Sequence, residues 1–256
     1  VNLSDLAAMG ATPRWATLAL ALPRADERWL AAFSKGFMRL ARAHHVDLIG
    51  GDTTRGPLNL CVQIMGETPY AEALRRDAAR VGDDVWVSGT LGDAALTVAA
   101  RNKQIIVQKQ LLTKFSSRLD RPTPRVALGI ALRGVARAAL DISDGLLGDL
   151  AHICERSQVC AEIHVDALPV SRAFMPWRDT HRGLQFMLCG GDDYELCFTA
   201  PPSKRAAVFR AGQRAHVAVT RVGRVLKARR GALVTVLRAT GKPLDVEGLG
   251  GFDHFR

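Results

Sequence analysis

Aromatic residues are scarce in this sequence, at 6% of its 256 positions, and the 25 acidic residues are outnumbered by 35 lysines and arginines. A surface built to stack nucleic-acid bases interleaves aromatics with a clustered basic stripe. Here the arginines behind the formal charge of +10 are dispersed through 24–42, 75–80, 118–137 and 221–230. They can attract anionic substrates or simply solvate a surface, and no nucleic-acid partner is expected. No uninterrupted apolar run approaches the roughly 20 residues of a membrane-spanning helix, and no basic segment followed by an apolar one opens the chain as in a signal peptide. No membrane partner is expected, and the expected compartment is the cytoplasm. The five cysteines, Cys61, Cys154, Cys160, Cys189 and Cys197, lack paired C-x-x-C spacing, and most lie among apolar neighbours. They read as buried free thiols, not as a metal or disulfide framework.

What the chain does have is the composition of a folded protein, 48% hydrophobic and 23% charged, in a length that allows one or two domains. Glu67-Thr68-Pro69 punctuates it, which sets an expected boundary between residues 1–69 and 70–256. The first part reads as a helix over 3–9 stopped by Gly10, a buried strand over 15–22, an amphipathic helix over 26–44 capped by Asp26, a short strand over 46–49 and another over 58–66. Trp29, Phe33 and Phe37 recur at helical spacing, so that stripe is expected to be core. In the second part strands are expected over 85–88, 135–140, 161–165, 198–199 and 217–225, with helices near 94–100, 125–133, 146–153 and 203–211. Residues 101–122 carry Lys103, Lys109, Lys114, Arg118 and Arg121 among apolar neighbours and read as a basic, partly helical excursion.

The stretch most suited to chemistry is Asp141-Ile-Ser-Asp-Gly-Leu-Leu-Gly-Asp149. An apolar run leads into it, and Leu146, Leu147, Leu150 and Ile153 follow at helical spacing, so it is a strand-to-helix junction. Asp141 is expected at the strand end, Ser143 or Asp144 as the helix cap, and Gly145 where backbones approach closely. A helix N-terminus beside carboxylates can hold phosphate directly and magnesium through oxygen ligands. An ordinary cap would explain Ser-Asp-Gly alone. Its company points further: Asp5, the run Gly50-Gly-Asp-Thr-Thr54, and Gly190-Gly-Asp-Asp193. Gly50 to Pro57 reads as a glycine-rich loop able to wrap a phosphate while Asp52 offers oxygen to a metal.

Read in order, Asn2-Leu-Ser-Asp-Leu-Ala-Ala-Met-Gly-Ala, Gly50-Gly-Asp-Thr-Thr-Arg-Gly, Asp141-Ile-Ser-Asp-Gly-Leu, Gly190-Gly-Asp-Asp-Tyr-Glu-Leu and Gly251-Phe-Asp-His-Phe resemble the thiamine-monophosphate kinase family across nearly the whole chain. The resemblance implies a two-domain α+β fold of the aminoimidazole-ribonucleotide-synthetase-like superfamily, paired as a homodimer through the N-terminal domain. It implies transfer of the γ-phosphoryl group of ATP to thiamine monophosphate with Mg2+. It also implies Asp5, Asp52, Asp141 and Asp144 as magnesium ligands, Gly51, Arg76 and Ser143 at the nucleotide, and Asp192 and Phe252 at the substrate. Asp192 stands where the family more often has Glu, and Arg75 beside Arg76 offers a second register. The family's upstream Gly-Asp-Asp and Ser-Thr-Asp motifs are not in this sequence, so an incomplete N-terminal domain is expected. Two other readings follow: a non-catalytic nucleotide-binding or interaction protein, or another ATP-dependent enzyme of the superfamily. The Gly-Gly-Asp-Asp-Tyr-Glu-Leu and Gly-Phe-Asp-His-Phe signatures argue against the latter.

Overall fold

Successive side chains of a strand point to opposite faces of its sheet, and those of a helix return to one face about every 3.6 residues. The computed structural model, in which residues 1–246 are described, begins with α1 (Asn2–Ala8), β1 (Thr12–Leu22), α2 (Glu27–Ala43), β2 (Asp47–Arg55) and β3 (Asn59–Glu67). It continues through β4 (Asp84–Ser88), α3 (Asp93–Arg101), α4 (Lys109–Asp120), α5 (Val126–Ala131), β5 (Ala138–Asp141) and α6 (Leu146–Ser157). Then come β6 (Val159–His164), α7 (His181–Cys189), β7 (Leu196–Ala200), α8 (Arg205–Arg214), β8 (Val219–Lys227) and β9 (Val234–Leu237). The class is α+β, as expected. Helix α7 and strand β9 had no expectation of their own.

The strands form a three-stranded sheet, β2-β1-β3, and a six-stranded sheet, β5-β7-β4-β8-β6-β9. In the larger sheet, alternate residues face two different cores. Val85, Val87, Ala138, Leu140 and Cys197 join α3, α6 and α7 on one face, while Trp86, Ala139, Leu196 and Phe198 join α1, α5 and α8 on the other. Leu146, Leu150 and Ile153 of α6 are fully buried, each contributing about 1.5–3 kcal/mol of transfer free energy. Helix α1 comes from the first part of the chain yet packs on α5. Gly129 lets it close in, since a Cβ there would lie 2.0 Å from the Ala7 carbonyl, and Arg133 Nε donates to the Gly10 carbonyl at 2.6 Å. The residue Asp5 is thereby brought to the larger sheet.

Two local expectations are corrected. Gly50 to Arg55 is no loop: it is the second half of β2, the edge strand, which pairs in parallel with β1. Gly51 sits at φ +140°, where a Cβ would meet the Leu18 carbonyl oxygen at 1.9 Å, so strand pairing rather than a phosphate loop explains this glycine. The register also shifts between Ala16 and Thr17, a bulge that lets the glycine pair fit. In α2, Asp26 caps as expected, its Oδ1 accepting from the N–H groups of Arg28 and Trp29, both at 3.1 Å. The aromatic stripe, however, is only half-buried: Trp29 stacks on Phe33 at 5.2 Å, and Ala41 is the one buried residue of that helix. A stripe at helical spacing fixes which face turns inward but not how much protein lies against it.

Candidate functional site

The alternation of β5 decides where the acidic motif points. Ala139 faces the α1 side and Leu140 the α6 side, so Asp141 faces α1 and Ile142 returns to the α6 core. The chain then turns and presents Ser143 and Asp144 on the α3 and α7 side, in front of α6. Four consecutive residues thus serve both faces of one sheet edge.

On the first face, Asp5, Arg76 and Asp141 line a cleft of about 550 Å³ with Arg75, Asp77 and Arg156. Burial raises the Asp5 carboxyl above its usual range, and the negative charge of Asp141 raises it further, while Arg76 acts against both. Two carboxylates that penalise each other next to an arginine form a place for a cation and the phosphate it carries. Arg75, which lines the same cleft, is engaged in a bidentate pair with Asp77, at 2.8 and 2.5 Å.

On the second face, Ser143, Asp144, Asp192 and Tyr194 line a cleft of about 420 Å³ whose other wall is apolar, from Ala95, Val98, Ala99 and Phe186. The Tyr194 hydroxyl donates to Asp192 Oδ1 at 3.2 Å, and burial, followed by the Asp192 charge, pushes the phenol up to about 12. Such a cleft offers a carboxylate to a cationic group and a dry wall to an uncharged ring. Asp192 and Tyr194 both have left-handed backbone, φ +67° and +49°, unusual for residues with side chains. The turn is held to the acidic motif by Asp192 N–H to the Ser143 carbonyl and Tyr194 N–H to the Ile142 carbonyl, both 2.9 Å.

The expected capping of α6 by Ser143 or Asp144 is corrected. Gly145 stands at the cap position with φ +118° and makes no side-chain bond; the acceptor is Asp149, inside the first turn. Its Oδ2 takes the N–H groups of Ser143, Asp144 and Gly145 at 3.0, 3.1 and 3.2 Å. Burial pushes the Asp149 carboxyl up to about 6, with those bonds working in the opposite direction. These three amides are therefore spent inward and are not the phosphate cradle that a helix N-terminus suggests. Asp149 thereby shapes the loop from which Ser143 and Asp144 line the cleft.

Of the remaining expected residues, Gly51 and Asp52 do not join either cleft. They line a shallow depression on the other sheet with Leu18, Leu48 and Thr53, and Asp52 Oδ1 accepts from the Thr53 N–H at 2.8 Å. Phe252 lies outside the described residues. Among the described residues no three His, Cys, Asp or Glu side chains converge into a complete ion site. The donor set suits magnesium nonetheless, because that ion keeps water and takes only one or two carboxylates besides substrate phosphate. The sequence reading missed Asp149, Tyr194 and Phe186. Asp149 and Tyr194 were inside quoted motifs, but nothing in spacing alone distinguishes a wall or an internal acceptor from its neighbours.

The sequence model of the AIR synthase related protein N-terminal domain matches residues 1–68, and that of the C-terminal domain matches residues 80–236. A thiamine-monophosphate kinase from Haemophilus influenzae is 41% identical over 259 residues, covering 100% of this chain and 77% of the relative. The crystal structure of thiamine-monophosphate kinase from Stenotrophomonas maltophilia superposes with a TM-score of 0.86 at 48% identity, over 95% of this chain and 77% of that one. The structure of AaThiL complexed with AMPPCP and TMP gives a TM-score of 0.81 at 30% identity, over 99% and 77%.

Proposed function

This chain belongs to the thiamine-monophosphate kinase family, and from that premise we infer that it transfers the γ-phosphoryl group of ATP to the phosphate of thiamine monophosphate, yielding thiamine diphosphate. The observation that carries the reading is the pair of carboxylate-bearing clefts meeting on residues 141–144. Attack of one phosphate on another gathers several negative charges and needs no protein nucleophile, so catalysis rests on positioning and neutralisation. Accordingly no residue here is assigned as nucleophile or general base.

Asp5, Asp141 and Asp144 are the residues that would hold Mg2+, which when bound neutralises the phosphate oxygens. Arg76 and Ser143 then address the nucleotide from the first cleft and from the junction. Asp192 faces the cationic thiazolium from the second cleft, beside the apolar wall that suits the neutral aminopyrimidine. Asp52 as a further magnesium ligand at the nucleotide, Gly51 beside it, and Phe252 at the substrate are assigned from the family motifs alone. A domain boundary at residue 69/70 is proposed, and the interval between the two matched models, 1–68 and 80–236, supports it. A homodimer is proposed through the first sheet, where β2 is an edge strand and Leu48, Ile49, Leu58 and Leu60 are exposed. A cytoplasmic location suits the five cysteines, none of which is in a disulfide, and no helix among the described residues is long and apolar enough to cross a membrane.

Calorimetry with a non-hydrolysable ATP analogue tests the two-cleft assignment. With magnesium the analogue binds, and binding weakens at least about tenfold when the metal is chelated, because the carboxylates then face the triphosphate directly. Equal affinity with and without magnesium would overturn the assignment of Asp5, Asp141 and Asp144 as ion ligands.

A further inference from the structure

Beyond Gly191, Asp192 and Tyr194 line the second cleft while Asp193 and Glu195 are buried behind it. Glu195 is fully buried and is held from three sides. Arg118 Nη2 reaches its Oε1 at 2.6 Å, Arg125 grips both oxygens at 2.7 and 2.5 Å, and the Ser88 hydroxyl donates to Oε2 at 2.6 Å. Ser88 Oγ in turn accepts the Leu196 N–H at 2.8 Å, and Gly89 must be glycine, since a Cβ would lie 2.0 Å from Glu195 Oε1. Arg118 Nη2 also donates to the Asp193 carbonyl at 3.3 Å, and the Asp193 carboxylate takes the Gly92 N–H at 3.1 and 3.0 Å. Burial holds the Asp193 carboxyl well above the usual range.

The backbone carries the clamp forward. The Glu195 carbonyl accepts the Ile142 N–H at 2.8 Å, so the clamp ties the turn to the acidic motif. Left-handed backbone at two side-chain-bearing residues persists only where the surroundings over-determine it. Arg118 comes from α4, the basic segment whose purpose the sequence left open. The end of α4 is itself pinned to α3 by Arg101 and Asp120, at 2.7 and 2.5 Å. Its Phe115 is buried edge-on against Trp177 with ring centres 5.8 Å apart.

We propose that Glu195, clamped by Arg118 and Arg125, positions the Asp192–Tyr194 turn and thereby sets the geometry of the thiamine monophosphate side of the site. The inference rests on the functional reading above. It gives α4 a role beyond that of a basic surface: of its basic residues, Arg118 reaches the buried ionic cluster. The first cleft is braced by α1 on α5, whose start at Arg125 is held by the other arm, so loosening the Arg118 arm alone affects the two substrates unequally.

Arg118→Met is the test, since it removes one arm of the clamp from a partly exposed position and leaves Arg125 on Glu195. The KM for thiamine monophosphate rises about tenfold or more, the KM for ATP stays within about twofold, and Arg118→Lys recovers most of the loss. Thermal melting of each variant is recorded alongside. Unchanged KM values in Arg118→Met would overturn the proposal, as would an equal rise for both substrates accompanied by a lowered melting temperature. A wild-type protein that turns over no thiamine monophosphate would overturn the functional reading, and this inference with it; an active wild type with an indifferent Arg118→Met overturns the inference alone.

Discussion

Asp141→Asn lowers kcat by about a thousandfold while leaving the protein at least as stable as the parent, because a charge that acts only on the reacting phosphates is removed at almost constant shape. The two halves of that expectation have separate physical origins. Asp141 lies at the end of β5, nearly buried, and its charge raises the neighbouring Asp5 carboxyl, so the folded chain bears an electrostatic cost at this point. Neutralising one member relieves it. The same change removes an oxygen charge from the cleft in which Asp5 and Arg76 would receive the metal and nucleotide. Activity measured with saturating ATP and magnesium, set beside a melting curve, separates the two effects. A mutant that loses stability and activity in parallel would show Asp141 to be a structural carboxylate, and a fully active one would remove it from the site.

Gly191→Ala costs about a hundredfold in kcat/KM, by moving the acidic loop rather than by touching any substrate. An added Cβ at residue 191 would lie 2.4 Å from the Ser143 carbonyl oxygen and 3.5 Å from Asp144 Cα. Neither atom belongs to a flexible side-chain end, so the loop itself must shift. That loop is tightly held: three of its amides are fixed by Asp149, and the Ser143 carbonyl already accepts the Asp192 N–H. Overpacking of this kind also destabilises, by about 1–3 kcal/mol. Gly148→Ala is the control, since nothing lies within 4 Å of a Cβ there, and it should remain close to wild type in rate. Activity lost equally in both variants would mean that glycine content, not the contact with Ser143, governs the loop.

How much of this was readable beforehand depended on whether the cause was local. The helix cap at Asp26, the strand ending in Asp141 and the helix after Gly145 are set by neighbours in sequence, and each stands where the pattern of residues puts it. Gly50 to Arg55 was misread because glycine serves two ends: it permits a loop, and it permits a strand to pass close to another backbone. Only the presence of Leu18 beside Gly51 distinguishes them. The Asp149 acceptor and the Glu195 clamp were hidden for other reasons. The partners of Glu195 come from up to 107 residues away, as with Ser88, and no window of sequence contains both, whereas Asp149 lies close in sequence to the amides it accepts and spacing alone does not tell it from a cap at Ser143 or Asp144. The meeting of Asp5 with Asp141 was suggested by the order of motifs, but their shared face follows from how α1 docks on α5.

The central claim is that this protein moves a phosphoryl group from ATP onto thiamine monophosphate. Incubation with ATP labelled at the γ-phosphate, magnesium and thiamine monophosphate, followed by separation of the products, tests it most directly. The account predicts label in the terminal phosphate of thiamine diphosphate, with none when the acceptor is thiamine itself. Label released only as inorganic phosphate, or transferred equally well to unphosphorylated thiamine, would contradict it.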